Sequence, residues 1–260
     1  MLRSAASAAS LLLVSALSHA EVATKEVTYK QGDTELQGFL AWDGEAKKRQ
    51  PGVIVVHEWW GHNQHARNQA IRLAKAGYVG FALDMYGKGK VTTHPKDAQE
   101  FMAEATKDPA TMKARFLAAL DQLKQDPHVD PERIAALGYC FGGAVALGMA
   151  RQGVDLDAVV TFHGALGTQQ PAAPGAVKAR LLILTGADDP MVGPDQVEAF
   201  KKEMTAAGAK FDVVSEPHAK HAFTNPDATA SGQLHCLPLA YDPSADAASW
   251  GHLKELLEAL

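Results

Sequence analysis

The run Val53-Ile54-Val55-Val56, leading into His57, restricts the fold more than any other stretch of this chain. A strand exposed on one face alternates apolar and polar residues, whereas an unbroken β-branched run belongs to a strand covered on both faces of a sheet. Tyr78 to Asp84, Arg133 to Tyr139, Ala158 to Phe162, Leu181 to Thr185 and Phe211 to Ser215 read as further strands. Helical spacing fills the gaps. A stretch from about Asn63 puts Ala66, Ala70, Leu73 and Ala74 on one face and closes at Gly77. Met112, Phe116, Leu120 and Leu123 recur at the same spacing, and Gly142 to Arg151 is small and helical, ending at Gly153. Val197, Phe200, Met204 and Ala207 lie between Pro194 and Gly208, a proline at the start and a glycine past the end. Trp250, Leu253, Leu256, Leu257 and Leu260 stripe a last helix. Val27–Lys30 and Glu35–Trp42 read as a hairpin over Gly32-Asp33.

Buried strands alternating with helices predict an α/β fold: right-handed crossovers and a mostly parallel central sheet with helices on both faces. No repeat or linker interrupts the pattern. The proline-bearing stretch Gly164 to Gly175 is short and lies between two strands, so it is expected to be a surface loop within a single domain over 21–260.

Residues 1–20 read differently. Arg3, a short apolar run at Leu11-Leu12-Leu13-Val14 and the ending Ser18-His19-Ala20 describe a signal peptide cleaved after Ala20. The apolar run is far short of the roughly 20 residues that span a bilayer. The expectation is an exported protein, periplasmic or secreted, with no membrane segment after cleavage. Twenty-five basic against 30 acidic residues leave no excess of positive charge to neutralise phosphates, which argues against a nucleic-acid partner. Two cysteines are too few for a disulfide scaffold, and a 47% apolar chain is not disordered.

In an open parallel sheet, ligands bind where loops leave the carboxyl ends of the strands. Four such loops carry reactive side chains here. Gly138-Tyr139-Cys140-Phe141-Gly142-Gly143 follows a strand and opens a helix, the Gly-x-nucleophile-x-Gly elbow with cysteine as nucleophile. The turn is too tight for neighbouring Cβ atoms, and the helix N-terminus behind the sulfur favours thiolate. No serine competes, since Ser215, Ser231, Ser244 and Ser249 are the only ones beyond residue 20 and none sits between a strand and a glycine-rich helix. A nucleophile needs a base and the base an orienting acid; known enzymes with this kind of elbow carry them in the chain order nucleophile, acid, histidine. Asp188 and Asp189 follow one strand, and His221 follows the next, with His218 read as an exposed loop residue. The residues alone leave Asp188 and Asp189 as alternatives. The fourth loop, His57-Glu58-Trp59-Trp60-Gly61-His62, spaces its histidines five apart and leaves a strand, unlike the helical zinc motif with four. No metal is expected. Glu58 is placed instead as a second charge partner for the thiol.

Gly-Tyr-Cys-Phe-Gly-Gly at 138–143, His-Glu at 57–58, Asp-Met-Tyr at 84–86, Gly-Ala-Asp-Asp-Pro at 186–190 and His-Ala-Phe-Thr-Asn-Pro at 221–226 together resemble the dienelactone hydrolase family. Tyr241-Asp242 and Ser249-Trp250 are also similar to it. The resemblance implies an α/β-hydrolase fold and cofactor-free hydrolysis of a small-molecule ester or lactone through a thioester; separately, a monomer is expected. It implies Cys140 as nucleophile, Asp189 rather than Asp188 as acid and His221 as base. Glu58 becomes the carboxylate that helps generate thiolate when substrate binds, and Trp59 and Phe141 supply backbone N–H groups to an oxyanion hole. Where the founding enzymes grip a substrate carboxylate with two arginines, this chain has Lys88 and Asn225. Lysine lacks the bidentate fork and asparagine lacks charge, so dienelactone itself is not the expected substrate. Trp60 and Tyr86 are placed with Lys88 and Asn225 at an aromatic substrate mouth. Two other readings stand beside this one. A non-catalytic binding protein on a hydrolase scaffold would have no use for the ordered Cys, Asp, His and Glu. A thiol redox protein would pair Cys140 with Cys236, although the two lack Cys-x-x-Cys spacing.

Overall fold

The computed structural model describes residues 21–259; the expected signal peptide and Leu260 lie outside them. Eight strands form one sheet. In chain order they are β1 (Val22–Gln31), β2 (Thr34–Asp43), β3 (Gln50–Val56), β4 (Val79–Leu83), β5 (Val129–Tyr139), β6 (Ala158–Phe162), β7 (Arg180–Gly186) and β8 (Phe211–Glu216). Their order across the sheet is β1-β2-β4-β3-β5-β6-β7-β8. β1 and β2 pair antiparallel across the two-residue turn Gly32-Asp33, with Gly32 at φ 56°, and β2 pairs antiparallel with β4. From β4 to β8 every neighbouring pair is parallel.

The helices are α1 (Gln64–Lys75), α2 (Pro95–Thr106), α3 (Pro109–Gln125), α4 (Phe141–Arg151), α5 (Pro194–Ala207), α6 (Ala228–His235) and α7 (Pro243–Glu258). Side chains alternate across a strand, so β3 serves two cores. Ile54 and Val56 face one with Phe116, Leu120, Met149 and Phe200 from α3, α4 and α5; Val53 and Val55 face the other with Ala70 and Leu73 from α1 and Leu253 from α7. The double-sided burial explains why these strands carry no polar alternation. Asn63 caps α1 by accepting from Ala66 N, and Gly208 ends α5 at φ 68°. Two helices went unread in the sequence, α2 and α6. α6 is short and buries only Ala228 and Gly232, whereas α2 carries an apolar stripe, Ala98, Phe101, Met102 and Ala105, whose two large members are half-buried against the core.

The stretch from Gly164 to Gly175 is loop, as expected, and is clamped from beneath. Arg151 forms a two-pronged pair with Glu203 at 2.9 and 2.8 Å and donates to Leu166 O at 2.7 Å, while Glu203 also accepts from Ala172 N at 2.9 Å. Burial works against ionisation of Glu203, yet Arg151 and the Ala172 N–H hold its pKa below the usual carboxylate range. Arg151→Met is expected to lower unfolding free energy by about 2–3 kcal/mol in urea titrations, at or just below the roughly 3–5 kcal/mol of a fully buried broken pair because Glu203 keeps some solvent contact. A depressed carboxylate stabilises the fold above its unfolded pKa of about 4.3, and that contribution is lost as pH falls through the lower folded value. The difference between wild type and variant should therefore narrow in acid.

Candidate active site

Because β3 to β8 run parallel, the residues that follow them meet on one edge: His57-Glu58, Asp84, Cys140, His163, Asp188-Asp189 and, after a short loop, His221. Cys140 joins β5 to α4 at φ 52° and ψ −115°, conformational space that a non-glycine residue occupies only when its surroundings force it. The surroundings are glycines. A Cβ on Gly138 would stand 2.0 Å from Gly142 O, and one on Gly142 would stand 2.3 Å from Val56 O. Cys140 N donates to Phe162 O at 3.0 Å, which ties the turn to β6. The Cys140 side chain is half-buried and makes no disulfide, and Cys236 is free and exposed. Among the described residues, neither Trp59 N–H nor Phe141 N–H is donated to a protein acceptor.

Asp189 is buried. Its Oδ1 accepts from Met191 N at 2.8 Å and its Oδ2 pairs with His221 Nδ1 at 2.9 Å. Asp188 instead lies on the surface, 3.7 Å from the exposed His218, so the two Asp/His pairs are separate. His221 is also buried, and its Nε2 makes no hydrogen bond of good geometry, although Cys140 is close enough to act on the ring. Burial alone would push the His221 pKa down. The charge of Cys140 beside the ring and the hydrogen bond with Asp189 override it, and the value is pushed up to about 10. The His221 loop is anchored by Ala240 N donating to His221 O at 3.1 Å.

Glu58 is 2% exposed, and its Oε2 accepts from Asn225 Nδ2 at 2.7 Å. Asn225 thus holds Glu58. Beside it, His57 Nε2 accepts from Met85 N at 3.2 Å, so the ring proton sits on Nδ1 and donates to Glu58 O at 2.5 Å. Tyr86 O–H donates to Trp59 O at 3.2 Å, and its ring packs against His57 and Phe141. Asp84 Oδ1 accepts from Tyr86 N and Gly87 N at 2.8 and 2.9 Å, fixing that turn. Tyr86 therefore braces the Trp59 backbone. Lys88 was expected at the substrate mouth. It pairs with Glu35 at 2.6 Å on the surface and does not line the cavity over Cys140.

That cavity, about 530 Å³, has Cys140 and His221 in its wall together with Trp59, Phe141, Val192 and Leu239. Met102 and Thr106 of α2 and the Leu237-Pro238-Leu239 segment after α6 also line it, two regions not assigned from the sequence. Among the described residues, no lysine or arginine lines it. Trp60 and Asn225 front a separate, adjacent cavity. His163 is a further residue at the edge that sequence reasoning missed. Fully buried at φ 43°, it shares a hydrogen bond with Thr224 Oγ1 at 2.9 Å and packs edge-on to His221 with ring centres 5.2 Å apart. Burial first, then the neighbouring His221 charge, holds its pKa well below the usual value, so it is a neutral brace behind that ring. Its only signal in the sequence was its place directly after a buried strand. Among the described residues, no three His, Cys, Asp or Glu side chains are placed to hold a metal ion.

A parallel sheet with a strained residue between its fifth strand and the following helix, and reactive loops at the same edge, defines an α/β-hydrolase. Solved structures agree on the fold. A dienelactone hydrolase-like promiscuous phosphotriesterase from metagenomic libraries superposes with a TM-score of 0.86 at 35% identity, covering 92% of this chain and 98% of that one. The chain belongs to the dienelactone hydrolase family, whose pattern it matches over residues 36–260. It is 30% identical over 207 residues to Protein usf of Aquifex pyrophilus, covering 76% of this chain and 86% of that protein. A protein of Aquifex aeolicus that bears the provisional name carboxymethylenebutenolidase is 28% identical over the same shares.

Proposed function

We propose that the protein hydrolyses neutral carboxylic esters or lactones through a thioester on Cys140. The observation that carries this reading is Cys140 on its strained turn, beside an imidazole whose far nitrogen is held by buried Asp189, in the wall of an apolar cavity. The Cys140 thiolate attacks the carbonyl carbon, and the negative oxygen is received by the undonated N–H groups of Trp59 and Phe141. Two such donors contribute several kcal/mol, about 3 kcal/mol each, when aimed at the charge that develops. His221 gives its Nε2 proton to the departing oxygen and then takes one from water, which cleaves the thioester. Glu58, poised on the neutral Asn225, is the carboxylate that assists thiolate formation when substrate arrives. Residues 1–20 support export of the enzyme after cleavage at Ala20.

Among the described residues the cavity wall has no lysine or arginine, and its one basic group, His221, is already paired with Asp189, which supports neutral substrates. A substrate carboxylate there would be buried without a partner, at a cost of several kcal/mol. Across esters and lactones with and without a carboxylate, kcat/KM is expected to favour the neutral members by at least about 100-fold. Equal or inverted preference would contradict the neutral-substrate assignment. A second reading, phosphotriester hydrolysis, is favoured by the 35% identical phosphotriesterase, and a neutral triester suits the same cavity. Release of nitrophenol from a dialkyl nitrophenyl phosphate, lost in Cys140→Ala, would support it.

A further inference from the structure

A second cavity of about 300 Å³ lies behind the wall of the first, at the lower end of the range for small-ligand pockets. One layer of residues separates them. Leu239 lines both cavities. Trp59 lines the first and Trp60 the second, with their rings 4.7 Å apart. His221 lines the first and Ala222 the second. Leu239 is also bridged to His221 through the backbone, so the divider is tied to the group that would protonate the leaving oxygen.

We propose that this second cavity is the subsite for the alcohol portion of the substrate, and that it takes a neutral chain bearing ether or hydroxyl oxygens. The proposal rests on the ester-hydrolase reading of Cys140. Two observations set the side and the chemistry. The boundary runs through the residues attached to His221, which places the second cavity on the leaving-group side of the reacting carbon. Among the described residues, its wall offers the Trp60 ring, the hydroxyls of Thr93 and Ser231 and the His235 imidazole, with no lysine or arginine, while the Asn225 amide and the Thr92 hydroxyl that also line it are held by Glu58, Asp227 N, Asp97 and His94 N. Asp227, a carboxylate, fronts it too and disfavours an anion. Hydroxyls beside an aromatic face recognise oxygen-bearing, uncharged chains; the first cavity, which is almost wholly apolar, takes the acyl group. Leu239 then decides how long an alcohol can be accommodated without displacing the wall.

The test compares two butyrate esters, ethyl butyrate and 2-(2-methoxyethoxy)ethyl butyrate, by pH-stat. Ser231→Trp, which fills the second cavity, is expected to lower the ratio of kcat/KM for the glycol-ether ester over the ethyl ester at least tenfold. Leu239→Ala, which thins the wall, is expected to raise that ratio. An unchanged ratio in both variants overturns the proposal. A second measurement does not depend on turnover: NMR titration of full-length Cys140→Ala with diethylene glycol monomethyl ether, read at the Trp60 indole. A saturable shift that Ser231→Trp abolishes supports the subsite even where no ester is turned over, in which case the Cys140 reading fails and the subsite stands. No shift at Trp60 overturns it.

Discussion

Cys140→Ala is expected to lower kcat/KM for p-nitrophenyl butyrate by at least about 1,000-fold, with the unfolding midpoint little changed. The size follows from what alanine removes. The oxyanion donors and the cavity remain, so binding persists, but no other side chain occupies the strained turn after β5. Cys236 cannot substitute, because it sits exposed at the end of α6 and does not line the cavity over Cys140. The same variant carries a second readout. The charge of Cys140 beside the ring helps raise the His221 pKa to about 10. Without the sulfur, the His221 titration followed by NMR should move down, so that the ring turns neutral at a lower pH than in the wild type. Comparable turnover by both proteins would remove Cys140 from the reaction.

The other large effect is expected at His221, and it should depend on the leaving group. His221→Asn removes the proton donor and the base, a contribution of about 100- to 10,000-fold in acid–base catalysis. A nitrophenolate departs without a proton, whereas an alkoxide does not. The loss is therefore expected to be larger for ethyl butyrate than for p-nitrophenyl butyrate when acylation is followed by stopped flow. Equal losses for the two esters would mean that His221 does not deliver the proton. Asp189, whose hydrogen bond holds His221 Nδ1, is a positioning residue in this account.

Much of this architecture was legible in the residues because the physics that shapes it is local or periodic. Val53 to Val56 are unrelieved by polar side chains because both faces of β3 are covered, and Gly138 and Gly142 flank Cys140 because a Cβ at either would meet backbone. Asp189 was separable from Asp188 only through the family resemblance, since both suit the same turn; burial against His221 distinguishes them in the structure. What could not be read depends on where loops travel. Lys88 is close in sequence to the Asp84 turn, yet its side chain turns to Glu35 on β2, a pairing set by the sheet order. Asn225 was read for the charge it lacks, whereas its amide contacts Glu58, 167 residues away. The cavity over Cys140 is roofed by α2 and by the segment after α6; α2 has an apolar stripe at Ala98, Phe101, Met102 and Ala105, but nothing local in either places it over Cys140.

Acid-quenched mass spectrometry during turnover of p-nitrophenyl butyrate asks the central question directly. The account predicts a butyryl group on the peptide that carries Cys140, removed by hydroxylamine as a thioester should be, and accumulating further in His221→Asn, where water is no longer activated. A butyryl group found on Cys236 or on a serine, with Cys140 unmodified throughout turnover, would contradict it.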